Sequence, residues 1–225
     1  MKLLAIETST EYCSVALWQD GAVQELCELV GQKHSEILMS MADEVLKDAG
    51  CTIRDVGGIA FGKGPGSFTG VRIACGVAQG LAFGIGVSVV GVCTLQALAE
   101  ASGKDKVIAA LDARMGELYL AAYERRNNVW ETVIAPCLCN ADNAPGIDGA
   151  GWFGAGSGFA MNGTALLARY GTQLSRADAQ AVPRAGAVAR LAADEFAMGK
   201  GLDAALALPL YLRDKVALKT SERRQ

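Results

Sequence analysis

The segment Gly62–Arg72 (GKGPGSFTGVR) restricts the folding of this chain more than any other part of the sequence. It follows a short apolar run, Gly58–Gly62, that is typical of a buried strand, and it precedes an apolar helical pattern. Its closely spaced glycines therefore predict a sharp turn between a strand and a helix. Ser67 or Thr69 can cap that helix, because a hydroxyl oxygen accepts a hydrogen bond from a free N–H of the first turn.

The two standard phosphate-binding loops do not fit this turn. A Walker loop needs Lys and then Ser or Thr directly after its second glycine, whereas Lys63 comes too early. The pattern G-x-G-x-x-G fails because the third glycine is replaced by Ser67 or Thr69, depending on where the match begins. Gly149–Gly154 does match that pattern, but no predicted strand precedes it, so we interpret it and the overlapping Gly154–Gly158 as loop structure.

Composition limits the class of protein. The chain has 225 residues, of which 51% are hydrophobic and 20% charged, as expected for a well-buried globular core. Its net charge of −3 argues against binding nucleic acid by bulk electrostatics alone. Seven cysteines without a C-x-x-C motif, Cys137 and Cys139 being the only close pair, favour reduced thiols in the cytoplasm over a disulfide framework or a zinc site.

The stretch Ile73–Cys93 carries no charge and is long enough to cross a bilayer. Gly84 and Gly86 interrupt it, and Val87–Val92 is β-branched like a buried parallel strand. We therefore expect a helix followed by a core strand, and no membrane association. The N-terminus does not resemble a signal peptide, because Glu7 cuts its apolar run short.

Apolar periodicity predicts the order βββαβαβα in the first half and a partial recurrence after Lys106. The first half comprises strands Leu3–Glu7, Cys13–Gln19, Ala22–Val30, Gly58–Gly62 and Val87–Val92, and helices His34–Ala49, Phe68–Phe83 and Thr94–Ser102. The second half comprises strands Val107–Asp112, Leu118–Glu124 and Val129–Ala135, an irregular loop from Pro136 to Gly158, and helical patterns at Ala160–Tyr170 and Arg184–Met198.

This recurrence predicts an α/β fold of two lobes, each built on a βββ unit. An acid ends the first strand of each half, Glu7 in one and Asp112 in the other. We place the first lobe at residues 1–104 and the second at 105–225, with the tail 205–225 a candidate to pack back on the first lobe.

The candidate chemical groups are few. In a two-lobed ATPase, acids placed like Glu7 and Asp112 hold a metal near the phosphates, but the turns after them lack phosphate-wrapping glycines, so structural or vestigial acids are favoured. His34 is the only histidine, which excludes a two-histidine metal site. A Ser-His-Asp triad would have to use His34, and no G-x-S-x-G elbow supplies its nucleophile. We expect His34 to lie in the N-terminal cap region of the first helix.

Gly76, Gly80 and Gly84 lie on one face of the second helix. Each glycine costs roughly 1 kcal/mol in a helix relative to alanine, so the stripe needs a reason, and close approach of another helix supplies one. That helix belongs either to the same lobe or to a partner. The basic tail Arg213–Arg224 is most simply a solvated segment, with a nucleic-acid contact as the alternative.

The chain resembles the TsaB family, formerly called YeaZ, nearly from end to end. The glycine block Gly64–Arg72 is the specific motif. The supporting motifs are Leu4–Thr10, Lys33–Ser35, Asp112–Arg114, Gly154–Gly158 and Pro209–Arg213. One departure is Glu7, where the family often has Asp.

The resemblance implies an actin-like (ASKHA, ribonuclease H-like) fold and a non-catalytic, cytoplasmic protein without a catalytic residue, metal or cofactor of its own. It implies a role in making threonylcarbamoyladenosine next to the anticodon of tRNAs that read codons beginning with A. TsaD would be the catalytic partner, using ATP and a metal; TsaC and TsaE would complete the pathway, and tRNA would be met through the complex. Without TsaD the chain is expected to form a homodimer.

The resemblance also implies that the first two helices bind the partner. The expected interface residues are His34, Leu38, Met41, Val45, Phe68, Arg72, Gly76, Gly80 and Gly84. The candidates for a remnant nucleotide or interface site are Glu7, Asp112, Arg114, Gly154 and Gly156. Two other functions remain open at this point, a stand-alone actin-like ATPase or kinase and the peptidase suggested by older family naming.

Overall fold

A computed structural model describes residues 1–213 of the chain, which form two five-stranded mixed sheets flanked by helices. The strands are β1 (Lys2–Glu7), β2 (Tyr12–Gln19), β3 (Ala22–Leu29), β4 (Gly58–Gly64), β5 (Val89–Cys93), β6 (Lys106–Asp112), β7 (Glu117–Arg126), β8 (Val129–Asn140), β9 (Trp152–Ala155) and β10 (Leu174–Asp178). The α-helices are α1 (His34–Asp48), α2 (Phe68–Ile85), α3 (Thr94–Ala101), α4 (Gly158–Met161), α5 (Gly163–Tyr170) and α6 (Ala185–Ala197).

The two sheets share one topology. The first has the strand order β3-β2-β1-β4-β5, and the second has the order β8-β7-β6-β9-β10 when read in the same direction. In each sheet, three consecutive strands pair antiparallel to one another. The first of the three is the central strand of the sheet, β1 or β6, and two further strands run parallel to it on its other side. The predicted duplication is confirmed, since β1 and β6 occupy equivalent central positions.

Helices α1 and α2 cover one face of the first sheet. Leu38 and Val45 of α1 pack with Ile59 and Phe61 of β4 in one core, to which α2 contributes Ala74. The stretch 73–93 is therefore a helix followed by a core strand, as predicted. Among residues 1–213, α2 is the one helix whose length and composition would also suit a membrane span, and 33% of that window is buried.

Helix α6 packs on the other face of the first sheet. The expected division placed all residues from 105 onward in the second lobe, and it is corrected for this helix. Its alanine face, including Ala189, lies against Ala5, Ala16 and Ala60, and these small side chains on both sides allow a close approach. The Ala185 N–H also donates a hydrogen bond to Ser14 Oγ (3.0 Å). The chain thus returns to the first lobe at α6 rather than at residue 205.

Helix α3 joins the two lobes. Leu95 and Leu98 pack against the second sheet. Near the end of α3, the carboxylate of Glu100 accepts hydrogen bonds from Trp130 Nε1 (2.9 Å) and Arg190 Nε (3.0 Å), so one acid ties α3 to β8 and α6.

The second half differs from the predicted pattern at three places. The loop expected at 136–158 contains the end of β8 and the short strand β9, and the helical pattern at 160–170 forms two helices, α4 and α5. Strand β10 was not predicted. Strand β9 has only four residues, one of them Gly154, so pairing with β6 and β10 decides its structure rather than local propensity.

Candidate functional site

The β1–β2 turn lies directly on the glycine turn that precedes α2. Ser67 N–H donates a hydrogen bond to Ser9 O (2.7 Å), and Thr8 Oγ1 donates one to Gly70 O (2.8 Å). A methyl group at Gly66 would lie 2.6 Å from Ser9 O, and one at Gly70 would lie 2.0 Å from Thr8 O. The glycines are needed because two backbones touch there. The Ser67 N–H at the start of α2 is thus engaged by the chain's own backbone.

Glu7 is buried beneath this contact. Its Oε1 accepts a hydrogen bond from Ser9 N–H (2.7 Å), and a methyl group at Gly62 would lie 1.9 Å from its Oε2. Burial raises the pKa of the Glu7 carboxyl. No lysine or arginine among residues 1–213 forms an ion pair with it. The acid therefore packs internally and does not line an open cleft.

Asp112 is the last residue of β6, and its carboxylate contacts Arg114 in the turn that follows. Its Oδ1 accepts a hydrogen bond from Arg114 N–H (2.9 Å), and its Oδ2 pairs with the Arg114 guanidinium (3.3 Å). The same guanidinium reaches Glu11 of the first lobe (3.3 Å). Arg114 and Met115 both have left-handed backbone conformations (φ 64° and 58°), which are costly for residues with side chains.

The turn after β9 repeats the close packing of the glycine turn after β4. A methyl group at Gly154 would lie 2.5 Å from the Phe159 ring, and one at Gly156, whose φ is 108°, would lie 2.4 Å from Ala110 O. These glycines therefore serve packing against α4 and β6. Within residues 1–213, no three His, Cys, Asp or Glu side chains are grouped closely enough to hold a metal ion.

The glycine face of α2 is open. A methyl group at Gly76, Gly80 or Gly84 would meet no atom within 4 Å. Phe83, on the same helix, is 86% exposed. A shallow groove runs along the C-terminal half of α2, and its walls are formed by Ile53, Arg54, Gly80, Leu81, Gly84 and Ile85. The stripe is therefore not packed within its own lobe.

The N-terminal end of α2 carries an exposed aromatic cluster. The Arg72 guanidinium lies 3.6 Å from the centre of the Phe68 ring, and its Nε donates a hydrogen bond to the Tyr211 hydroxyl (2.7 Å). Tyr211 belongs to the C-terminal segment, which continues to Arg213, and Arg213 pairs with Glu117 of the second lobe (2.7 Å). The rest of the basic tail, residues 214–225, lies outside the described residues.

A family model described as TsaD, tRNA N6-adenosine threonylcarbamoyltransferase, matches residues 26–194. Curated relatives named "tRNA threonylcarbamoyladenosine biosynthesis protein TsaB" are 38% identical in Escherichia coli, over 97% of both chains, and 35% identical in Haemophilus influenzae, over 97% of this chain and 96% of the relative. The chain belongs to the TsaB family. A solved structure, "YeaZ from Pseudomonas aeruginosa", has a TM-score of 0.86 and 38% identity over 94% of this chain and 99% of that one. A second Pseudomonas aeruginosa structure, described as similar to peptidase YEAZ, has a TM-score of 0.87 and 37% identity over the same shares.

Membership of the TsaB family fits the two-lobed, actin-like architecture, but four residues expected at a partner interface are buried in their own lobe. Leu38, Met41 and Val45 are at most 3% exposed, because they form the face of α1 that packs on the sheet. His34 is also buried, with Nε2 2.9 Å from Thr10 O and 3.2 Å from Tyr12 O, so it holds the β1–β2 turn. We correct the expected interface accordingly.

The other expected interface residues share the open surface of α2. They are Phe68, Arg72, Gly76, Gly80 and Gly84. Sequence reasoning missed Phe83 and Tyr211 as members of this surface. Tyr211 lies within the Pro209–Arg213 motif of the TsaB family, which was the available signal. Glu7, Asp112, Arg114, Gly154 and Gly156 lie at strand ends and turns, and each is engaged in local packing or hydrogen bonds.

Proposed function

We propose that this chain is a non-catalytic subunit in the synthesis of threonylcarbamoyladenosine on tRNA, and that it binds and supports the catalytic subunit TsaD. The names of its relatives support a role in this pathway. The observation that carries the proposed mode of action is the open glycine face of α2, at which three consecutive turns of helix present no side chain. Such a surface suits close contact with another helix.

The engaged acids support a non-catalytic role. Glu7 is enclosed by Ser9 and Gly62, and Asp112 is paired with Arg114. Ser67 N–H, at the start of α2, is bonded to Ser9 O, so it is not free for a phosphate. In this proposal ATP and the metal belong to the partner complex, TsaE and TsaC act in the same pathway, and the complex brings tRNA. The chain itself works in the cytoplasm.

The physical basis of the contact is the removal of apolar surface from water. The α2 face combines flat glycine positions with the exposed ring of Phe83. A facing helix can approach closer than the usual ~8–10 Å between axes, because no side chain intervenes. In the absence of TsaD, the same surface would pair with a second copy of this chain, since contiguous apolar surface is unfavourable in water.

Gly80→Leu tests this proposal directly. The new side chain points into open space in the monomer, so we expect a melting temperature no lower than that of the wild type but a loss of assembly with TsaD, of about 1–3 kcal/mol from overpacking at the contact. Gly163→Leu is the matched control, because Gly163 is also helical and also meets nothing within 4 Å but lies in the second lobe.

The measurement is co-purification and light scattering of each variant with TsaD, together with an assay of tRNA modification. We expect Gly163→Leu to match the wild type and Gly80→Leu to lose both complex and modification. Equal assembly by both variants would place the interface elsewhere. Full modification of tRNA by TsaD, TsaC and TsaE without this chain would remove the proposed supporting role.

A further inference from the structure

We infer that Lys2 and Cys51 form an oxidant-dependent covalent bridge in which one oxygen atom joins Lys2 Nζ to Cys51 Sγ. Lys2 is the first residue of β1, and Cys51 follows the end of α1. Their side-chain atoms lie 2.8 Å apart, and both residues are partly exposed, so a small oxidant has access to them.

The short contact distinguishes this pair from the other thiols. Five further hydrogen bonds in which a sulfur atom donates or accepts measure 3.3 to 3.6 Å. The contact between Lys2 Nζ and Cys51 Sγ is shorter than all five.

The backbone on both sides holds the two side chains in place. The Lys2 carbonyl accepts a hydrogen bond from Gly57 N–H (2.9 Å), so the chain segment after Cys51 is tied back to β1. Cys51 N–H donates to Leu46 O (2.8 Å), and its Sγ donates to Ala49 O (3.3 Å). The backbones of the two residues and the Cys51 thiol are thus held in position, which lowers the entropic barrier to their reaction.

The reaction balances with hydrogen peroxide as the oxidant. One peroxide oxidises the thiol to a sulfenic acid, and a second oxidises the lysine amine to a hydroxylamine. The two hydroxyl groups then condense, forming the N–O–S link and releasing water. Sulfur and nitrogen each give up two electrons, two peroxide molecules are reduced, and three molecules of water leave. Relative to the reduced chain, the product gains one oxygen atom and loses two hydrogen atoms.

The bridge has a structural consequence at the groove on α2. The residues directly after Cys51 form a short 3-10 helix, Ile53–Asp55, and Ile53 and Arg54 line one wall of that groove. A covalent tie from β1 to Cys51 would fix this wall and remove the positive charge of Lys2. Control of partner assembly by oxidation is therefore expected, and this part of the inference rests on the proposed function.

The chemical test uses the full chain and no partner. The purified protein is treated with hydrogen peroxide, and its intact mass and digested peptides are measured before and after reduction with dithiothreitol. We expect a species with one added oxygen and two fewer hydrogens, a linked peptide pair that contains Lys2 and Cys51, and reversal on reduction. Lys2→Arg and Cys51→Ser should both lose the linked pair, whereas Cys27→Ser, which changes another partly buried thiol, should keep it.

Two outcomes would overturn the bridge. One is oxygen addition at Cys51 without loss of hydrogen, equal in wild type and Lys2→Arg, which is simple sulfenic acid formation. The other is no modification at Cys51. The regulatory consequence is tested separately by binding of oxidised wild type and oxidised Cys51→Ser to TsaD. Equal binding would overturn regulation while the linked peptide still establishes the bridge.

Discussion

The Cα of Gly62 lies against the buried carboxylate of Glu7, so closely that a methyl group there would be 1.9 Å from Oε2. Residues 7 and 62 belong to neighbouring parallel strands, β1 and β4. The side chain of Glu7 fills the space that Gly62, which has no side chain, leaves free. The first glycine of the turn is thus explained by strand packing, with no ligand involved.

Gly62→Ala is expected to destabilise the fold by about 1–3 kcal/mol, because the added methyl group must displace a buried carboxylate. Gly80→Ala is its counterpart on the open face of α2, where the methyl group meets nothing and the helix gains up to roughly 1 kcal/mol. Urea unfolding of both variants measures the difference. Glu7→Asp, which shortens the acid, should restore part of the loss in Gly62→Ala; no restoration would mean that the clash is not with residue 7.

Glu7 also predicts a pH dependence of stability. Burial raises its pKa in the folded state, so the folded chain holds this proton at pH values where the unfolded chain releases it. The stabilisation from the protonated form is complete below the unfolded pKa, about 4.3, and is lost as the pH rises through the folded pKa. Glu7→Gln keeps a neutral side chain at every pH.

The free energy of unfolding of Glu7→Gln minus that of wild type should therefore be more positive at pH 8 than at pH 4.5, because only the wild type loses stability as the pH rises. Denaturant titrations of the two proteins at both pH values provide the comparison. The same difference at both pH values would show that residue 7 does not titrate differently in the two states.

The sequence predicted β1, β2, β4, α1 and α2 because their apolar periodicity agrees with the packing that the structure shows. The same periodicity did not show that the apolar face of α1 is buried in its own lobe. Leu38, Met41 and Val45 fall on one apolar face of α1, and a sequence pattern does not say whether such a face meets its own sheet or another protein. The glycine stripe was more informative, because a position without a side chain carries no apolar signal for the core.

Long-range pairing explains the elements that were missed. Strand β10 has an exposed sequence, Leu174–Asp178, and is a strand because β9 pairs with it at the edge of the sheet. The position of α6 depends on alanines in β1, β2 and β4, which are far away in the chain. Local propensity contains no information about such partners.

The isolated chain is expected not to hydrolyse ATP at a meaningful rate, because Glu7 and Asp112 are engaged and the Ser67 N–H at the start of α2 is bonded to Ser9 O. The measurement is phosphate release from ATP with magnesium by wild type, Glu7→Ala and Asp112→Ala. All three should give the same background. Turnover by the wild type that either substitution abolishes would instead support a stand-alone ATPase.

The C-terminal segment provides a last prediction. Arg213 crosses from the first lobe to the turn between β6 and β7, where it donates a hydrogen bond to Ala113 O (2.9 Å) and pairs with Glu117 (2.7 Å). Its side chain is only 16% exposed, whereas that of Arg114 in the same turn is 74% exposed. Solvent screens an exposed ion pair strongly and a mostly buried one much less.

Arg213→Ala should therefore cost about 1–3 kcal/mol, because it leaves the carbonyl of Ala113 and the carboxylate of Glu117 without their partner. Arg114→Ala should cost no more than about 1 kcal/mol, although it breaks contacts to two acids. Urea unfolding of both variants in low and high salt is the measurement, and only the small Arg114 effect should fade with salt. An equal, salt-sensitive loss in both would show that Arg213 contributes no more than a surface charge, and that the C-terminal segment does not hold the lobes together.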